Sequence, residues 1–142
     1  MIAIGSDHGG YDLKIAIMNH LEKRGLEFKD YGCYEKKSCD YPDFGRLVAK
    51  AVLDDECEKG ILVCTTGIGI SMTANRYRGI RCALCTDPYM AKMTRDHNNA
   101  NVLALGGGLT GINLALEIVD TFLDTPYSNE AKHQRRVDGI EL

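Results

Sequence analysis

The segment GILVCTTGIGIS, residues 60–71, joins an apolar run to a glycine-rich turn. A short run without polar residues is typical of a strand that is buried on both faces of a parallel sheet. We expect the strand at 60–64, the turn around Gly67 and a short helix from about Gly69 to Arg76. A strand, a glycine turn and a helix in this order predict one unit of an α/β fold.

The same alternation continues on both sides of this segment. Four further strands are predicted, at 2–5, 26–32, 80–85 and 101–106. The helices between them have ends marked by Gly25, Pro42, the pair Asp87 and Pro88, and Pro126. Their buried faces are predicted to contain Leu13, Ile17 and Leu21 in the first helix, Phe44, Leu47, Val48, Ala51 and Val52 after Pro42, and Ile112, Leu116, Val119 and Leu123 in the last.

Five strands alternating with helices predict a parallel sheet that is covered on both faces. Because crossovers between parallel strands are right-handed, we expect a doubly wound three-layer α/β/α sandwich of the Rossmann-like kind. The 142 residues are expected to form a single domain, 1–142, whose last part, 127–142, is a basic tail or a helix.

The composition is that of an ordinary globular domain, with 44% hydrophobic residues, 26% charged residues and a net charge of -3. No basic run suggests nucleic acid or a membrane surface as a partner. No segment approaches the roughly 20 apolar residues that cross a bilayer, and the first ten residues do not resemble a signal peptide. We therefore expect a cytoplasmic protein.

Six cysteines are expected to be reduced thiols: Cys33, Cys39, Cys57, Cys64, Cys82 and Cys85. The C-x-x-C spacing at 82–85 lies within an apolar strand, whereas redox pairs of this spacing open a helix. We expect Cys82 in the core and Cys85 near the strand end, with a reversible disulfide between them as the competing interpretation. No second pair has the spacing of a zinc site, so neither a metal nor a cofactor is predicted.

In open α/β sheets, ligands bind beyond the carboxyl ends of the strands, which here selects the loops SDHGG (6–10), CTTGIGIS (64–71) and GGGLTG (106–111). In the second loop, Gly67 and Gly69 let backbone N–H groups converge on an anion, beside a Cys64 that could act as a base or nucleophile. The alternative is a buried Cys64 followed by a tight turn, and these residues alone leave both open. The loop matches no nucleotide-binding motif.

Asp7 and His8 follow the first strand and could share a proton-transfer task, unless Asp7 only caps the first helix. Near the other end of the chain, the segment KHQRR (132–136) is either a solvated basic face or a phosphate clamp.

His97 also has two interpretations. It either packs beside Met90 and Met93 on one helical face, or it lies at the edge of the sheet opposite Cys64 and enters the site of a neighbouring subunit. The second interpretation predicts an oligomer with sites at the interface.

Taken together, these segments resemble the B-type ribose-5-phosphate isomerases, a family that includes the galactose-6-phosphate isomerase subunits. The resemblance runs along nearly the whole chain, through GSDHGGYDLK, DYPDFG, CTTGIGIS, GIRCALCTDPYMA, RDHNNANVLALG, IVDTF and HQRRV. It implies the fold derived above and a metal-free aldose–ketose isomerase of sugar phosphates that acts through an enediolate. It also implies a homodimer or homotetramer whose active sites are shared between subunits.

The resemblance further implies a role for each site residue. Cys64 would move a proton between C1 and C2, His97 would open the sugar ring, and Thr66 and Asp7 would assist. The substrate would be bound by His8, Tyr41, Thr65, Gly67, Ile68, Gly69, Asn98 and Arg136, the last of them at the phosphate. Amide groups of residues 66–69 can stabilise an enediolate oxygen, and histidine suits acid–base work near neutral pH.

Three positions depart from the family pattern. Thr65 stands where glycine is usual, Gly108 stands where an arginine that helps to bind phosphate is usual, and SNEAK before HQRRV offers Lys132 in place of arginine. Ribose 5-phosphate is the first expectation for the substrate. The alternatives are galactose 6-phosphate, allose 6-phosphate or a tetrose phosphate, or a sugar-phosphate-binding protein without catalysis.

Overall fold

The computed structural model describes residues 1–141, in which strands and helices alternate along the chain. The strands are β1 (Ile2–Ser6), β2 (Phe28–Asp30), β3 (Lys59–Cys64), β4 (Cys82–Leu84) and β5 (Val102–Gly106). The helices are α1 (Tyr11–Lys23), α2 (Tyr41–Leu53), α3 (Ile68–Ala74), α4 (Pro88–Asn98), α5 (Ile112–Asp124) and α6 (Ala131–Ile140). A 3-10 turn, His8–Gly10, precedes α1. The predicted alternation is confirmed, and the basic tail forms a helix.

The strands of this sheet are all parallel and lie in the order β2-β1-β3-β5-β4. Val63 in the central strand β3 pairs with Ser6 of β1, and Cys64 pairs with Gly106 of β5. The carboxyl ends of these three strands therefore meet at one edge of the sheet. Helices α1, α4 and α5 cover one face and α2 and α3 cover the other, which confirms the doubly wound three-layer sandwich.

The edge strands β2 and β4 are shorter than predicted. Each pairs through three residues with a single neighbour, so the predicted spans 26–32 and 80–85 contract to Phe28–Asp30 and Cys82–Leu84. Both edge strands end at their third pair, although the neighbouring strands β1 and β5 continue for two more residues.

The buried faces of two helices differ in part from the predicted ones. In α2, Val48 and Val52 are buried as predicted, but Leu47 is exposed. In α5, Val119 is buried, but Ile112, the first residue of the helix, is exposed. The buried residues of α5 are Ala115, Ile118, Val119 and Phe122. Apolar residues at adjacent positions permit two phases of the helical repeat, and packing against the sheet selects one of them.

All six cysteines are free thiols. Cys82 packs against the core as predicted but is only partly buried, and Cys85 lies at the end of β4 as predicted but is itself fully buried. Burial raises the pKa of both thiols, that of Cys85 to about 12. Both are therefore protonated at neutral pH, which argues against a redox pair.

None of the helices within residues 1–141 has the length and apolar content that crossing a bilayer requires. In the same residues, no three His, Cys, Asp or Glu side chains come together in a way that could hold a metal ion. Every buried side-chain nitrogen and oxygen in this range has a hydrogen-bond partner.

Candidate active site

Three loops meet at the carboxyl edge of the sheet, after β1, β3 and β5. In the first loop, the N–H of Asp7 donates to the carbonyl of Val63 at 3.2 Å. In the third loop, the N–H of Gly107 donates to the carbonyl of Cys64 at 2.8 Å. These backbone hydrogen bonds do not depend on side-chain rotamers, so they hold the three loops in fixed positions around the end of β3.

Cys64 is the last residue of β3, and its side chain lies against the glycine turn. The N–H of Gly67 donates to Cys64 Sγ at 3.1 Å, and Gly67 adopts a left-handed conformation with φ of +79°. The cysteine is 5% exposed. Both interpretations of Cys64 are therefore partly right, because it ends a buried strand and also has a backbone donor at its sulfur. Such a donor stabilises negative charge on sulfur, as a thiolate base requires.

The turn after Cys64 leads into α3, which begins at Ile68, one residue before the predicted start. The N–H of Ile68 donates to Thr66 Oγ1 at 3.2 Å and so orders the turn. A Cβ at Gly69 would lie 2.6 Å from ring atoms of Tyr41, so this approach requires glycine. The structure thus brings Tyr41, at the start of α2, against the turn.

Asp7 and His8 lie at the same edge of the sheet. Asp7 is buried, and its Oδ1 accepts from the N–H of Gly10 at 3.1 Å, so Asp7 is a cap, although of the 3-10 turn that precedes α1. His8 is exposed, and its Nδ1 accepts from the N–H of Cys39 at 3.2 Å. Because Nδ1 accepts, Nε2 carries the ring proton and is a donor.

The sequence pattern did not single out Lys14, which is buried beside the segment after β2, or Cys39, whose backbone N–H contacts His8. Lys14 is fully buried on α1, and its Nζ donates to Asp30 Oδ1 at 2.8 Å, which anchors the segment that leads from β2 to Cys39. Lys14 had a signal, because it lies three residues before Ile17 on the buried face of the helix. Cys39 contacts His8 through its backbone N–H, and no spacing rule marks such a residue.

His97 and Asn98 lie at the opposite edge of the sheet, where α4 ends. The side chain of His97 is 45% exposed, so the interpretation as a packed histidine was wrong. The ring of His97 stacks on that of His133 in α6, with centroids 4.2 Å apart, and His97 Nε2 lies 3.5 Å from the carboxylate of Asp96. The five residues of β5, roughly 16 Å of strand, separate the two edges. Cys64 and His97 of one chain therefore lie far apart, at opposite edges of the sheet.

The basic segment of the sequence forms much of α6, next to His97. His133 is buried, with Nδ1 2.7 Å from Ser128 Oγ, so the prediction of a wholly solvated basic face was wrong at this residue. Arg136 is exposed and makes no hydrogen bond or ion pair within residues 1–141. Its guanidinium can therefore accept an anionic ligand without losing a partner in this part of the chain.

The structure divides the predicted site residues into two groups. Asp7, His8, Tyr41 and residues 64–69 surround the carboxyl end of β3, and we name them the β3 group. His97, Asn98 and Arg136 lie on α4 and α6 at the opposite edge, and we name them the α4–α6 group. Each group by itself lacks part of the predicted acid–base machinery.

Known proteins similar to this chain match it over nearly its whole length. The sequence model of the ribose/galactose isomerase family matches residues 2–140. The chain is 45% identical to ribose-5-phosphate isomerase B of Escherichia coli K12, over 98% of this chain and 93% of that protein. It is 39% identical to the galactose-6-phosphate isomerase subunit LacB of Clostridium acetobutylicum, over 99% of this chain and 82% of that subunit.

Solved structures give the same result. Ribose-5-phosphate isomerase B of Clostridium thermocellum matches with a TM-score of 0.97 and 53% identity, over 99% of this chain and 94% of that one. A ribose 5-phosphate isomerase from Thermotoga maritima matches with a TM-score of 0.96 and 50% identity, over 99% of this chain and 96% of that one. Both site groups lie within the part of the chain that the family matches.

Proposed function

The chain belongs to the ribose/galactose isomerase family, and on this premise we propose that it is an aldose–ketose isomerase that interconverts ribose 5-phosphate and ribulose 5-phosphate. The relatives and solved structures named ribose-5-phosphate isomerase B support this substrate. The structural observation that carries the proposal is the N–H of Gly67 donating to Cys64 Sγ at 3.1 Å at the edge of the sheet where ligands bind.

Proton transfer between the two carbons is assigned to Cys64. As a thiolate, it takes the proton from C2 of the open-chain aldose and leaves an enediolate. A proton moves from O2 to O1, the thiol returns its proton to C1, and the carbonyl now stands at C2. Within residues 66–69, the amide of Gly67 donates to Cys64 Sγ and that of Ile68 donates to Thr66 Oγ1, so we assign the amides of Thr66 and Gly69 as donors to the enediolate oxygen. Because they are backbone groups, they need little reorganisation during the reaction.

Ring opening is assigned to His97 of a second copy of the chain. Pentose phosphates are largely cyclic, so an acid–base group has to release the open chain first. His97 cannot serve Cys64 of its own chain, because the two lie at opposite edges of the sheet. Asp7 assists indirectly, by capping the turn that presents His8 to the substrate.

Phosphate binding is assigned to the same α6 surface. His97 stacks on His133, and Arg136 lies about one helical turn after His133. Arg136 and His97 therefore lie on the same side of α6. Lys132 adds a second positive charge, although its Nζ lies 3.5 Å from the Glu130 carboxylate and is partly neutralised. A guanidinium binds two phosphate oxygens at once, so Arg136 is the stronger of the two.

The assembly that we infer is a homodimer, or a homotetramer built from such dimers, in which the α4–α6 group of one copy faces the β3 group of the other. Apolar side chains support an interface near the glycine turn and α4. They are Ile68, Met72, Tyr89 and Met90, of which Met72 is 63% and Tyr89 69% exposed. A two-fold pair of this kind contains two shared sites. The six free thiols suit a reducing compartment, so we place the enzyme in the cytoplasm.

The test is ketose formation from ribose 5-phosphate, with allose 6-phosphate, galactose 6-phosphate and erythrose 4-phosphate as comparisons. We expect Cys64→Ala to lower kcat by about 10³-fold, since it removes the proton-transferring group. The control Cys82→Ala, which removes a thiol outside both groups, should stay within about twofold. Exchange of the C2 proton into deuterated water separates catalysis from binding. Sugar-phosphate binding without exchange, or full activity of Cys64→Ala, would contradict the proposal.

A further inference from the structure

Thr65, the residue after Cys64, has its side chain between two glycines from different loops. A Cβ at Gly9, in the loop after β1, would overlap with Thr65 Oγ1. A Cβ at Gly108, in the loop after β5, would lie 2.9 Å from Thr65 Cγ2, closer than side-chain atoms approach one another. We name Gly9, Thr65 and Gly108 the Thr65 clasp.

The two glycines of the clasp are required for space and not for backbone conformation. The glycines with positive φ are Gly25, Gly32, Gly67 and Gly79, so neither Gly9 nor Gly108 needs the left-handed region. The loops are themselves tied to the threonine and to each other. The N–H of Gly108 donates to the carbonyl of Thr65 at 2.9 Å, and a Cβ at Gly107 would lie 2.9 Å from the carbonyl oxygen of Gly9. The two loops are therefore packed against each other as well as against Thr65.

The Thr65 side chain lies at the surface of the protein and not in the core. Thr65 is exposed, although it directly follows the buried Cys64. Its hydroxyl makes no hydrogen bond within residues 1–141, so it is not the partner of a buried polar group. Threonine is branched at Cβ and stiff about χ1, so a side chain held between two loops has little freedom to change its conformation.

We propose that the Thr65 clasp is a specificity determinant, which narrows the site beside Cys64 and selects five-carbon over six-carbon sugar phosphates. The inference rests on the proposed isomerase function and adds the substrate class to it. The clasp also keeps position 108 free of a side chain, so the loop after β5 contributes no cation and the phosphate depends on Arg136 and Lys132. Volume, and not the hydroxyl, is the property of Thr65 that sets this preference.

The first experiment compares kcat/KM for ribose 5-phosphate and allose 6-phosphate in the full-length chain and in two variants. Thr65→Gly should raise the six-carbon to five-carbon ratio by about tenfold, the effect of gaining room for one or two carbon atoms. Thr65→Val retains the shape and loses the hydroxyl, and it should leave the ratio within about twofold of the unmodified chain. An unchanged ratio in Thr65→Gly, or an equal shift in Thr65→Val, would overturn the inference.

The second experiment tests the clasp without relying on activity. Gly9→Ala should lower Tm by about 5 °C, because the new methyl group overlaps with Thr65 Oγ1. The double variant Gly9→Ala with Thr65→Gly should recover most of that loss, relative to Thr65→Gly alone. Additive changes in Tm would overturn the clasp. If the Tm changes of Gly9→Ala and Thr65→Gly are not additive but no sugar phosphate is turned over, the proposed function is contradicted while the contact between Gly9 and Thr65 is supported.

Discussion

The β3 group and the α4–α6 group are held in place by different kinds of contact. Around Cys64 the contacts are backbone hydrogen bonds, between the loops and onto the sulfur itself. Around His97 they are side-chain contacts, namely stacking on His133 and an approach to Asp96. In the proposed mechanism, the base is thus pre-organised within one chain, whereas the ring-opening histidine lies on a surface and would act where another copy supplies a thiol.

The largest effect is expected where the β3 group depends on the backbone. In Gly67→Ala, the new Cβ would lie 2.5 Å from Leu84 Cδ1 and 2.9 Å from the carbonyl carbon of Leu105. The turn must shift, and the N–H that points at Cys64 Sγ moves with it. We expect kcat to fall by about 10²- to 10³-fold, the usual cost of losing an oriented donor. Steady-state assays with ribose 5-phosphate measure this loss.

Gly25→Ala is the matched control for this substitution. Gly25 has a similar positive φ of +71°, but no atom lies within 4 Å of the place that its Cβ would occupy. The backbone conformation should lower the free energy of unfolding by about 1 kcal/mol. We expect kcat to stay within about twofold. Equal losses of activity in the two variants would mean that backbone strain, and not the donor at the sulfur, explains Gly67→Ala.

The next effect concerns the division of the site between two chains. Cys64→Ala and His97→Ala should each be nearly inactive, but in an equal mixture of refolded subunits half of the dimers contain both chains. Each mixed dimer has one intact site, so we expect about a quarter of the unmodified activity. Mixed dimers, verified by mass spectrometry, that remain inactive would show that each site draws on one chain only.

A smaller effect is expected at the support of His97. His133→Ala removes the ring on which His97 stacks, and we expect kcat to fall about five- to tenfold with little change in KM, because the acid–base group is less well positioned. His133→Phe keeps an aromatic surface and loses the contact with Ser128 Oγ. It should recover most of the activity. Equal losses in both variants would assign the role of His133 to its hydrogen bond instead.

The two groups also differ in how much of their structure could be predicted from the sequence. The position of Cys64, Asp7 and His8 at one edge followed from the alternation of strands and helices, because parallel strands end at the same side. The exposure of His97 and the burial of His133 did not follow. They result from packing of α6 against α4, in which the buried residues of α6 are His133 and Val137, so that a single apolar residue marks this face in the sequence.

Residue-level packing limited the predictions in the rest of the chain. The periodic pattern placed Leu47 and Ile112 on buried faces, and the sheet selected the neighbouring phase of each helix. Thr65 was recognised as unusual, but its contacts with Gly9 and Gly108 join three loops that are far apart in the chain. The order of strands, helices and loops around this site is therefore predictable from the sequence, whereas side-chain contacts between the loops are seen only in the folded structure.

The smallest effect is expected at Cys85. Its side chain is buried like that of Cys64, but its sulfur is a hydrogen-bond donor instead of an acceptor. Cys64 Sγ accepts from the N–H of Gly67, whereas Cys85 Sγ donates to the carbonyl of Ala83 at 3.9 Å. Burial raises the pKa of Cys85 to about 12, so its thiolate fraction at pH 8 is on the order of 10⁻⁴. In the folded protein, iodoacetamide at pH 8 should leave Cys85 unmodified while it alkylates Cys64 and abolishes activity. Alkylation of Cys85 before Cys64 would show that burial does not keep the Cys85 thiol unreactive, and it would contradict this prediction.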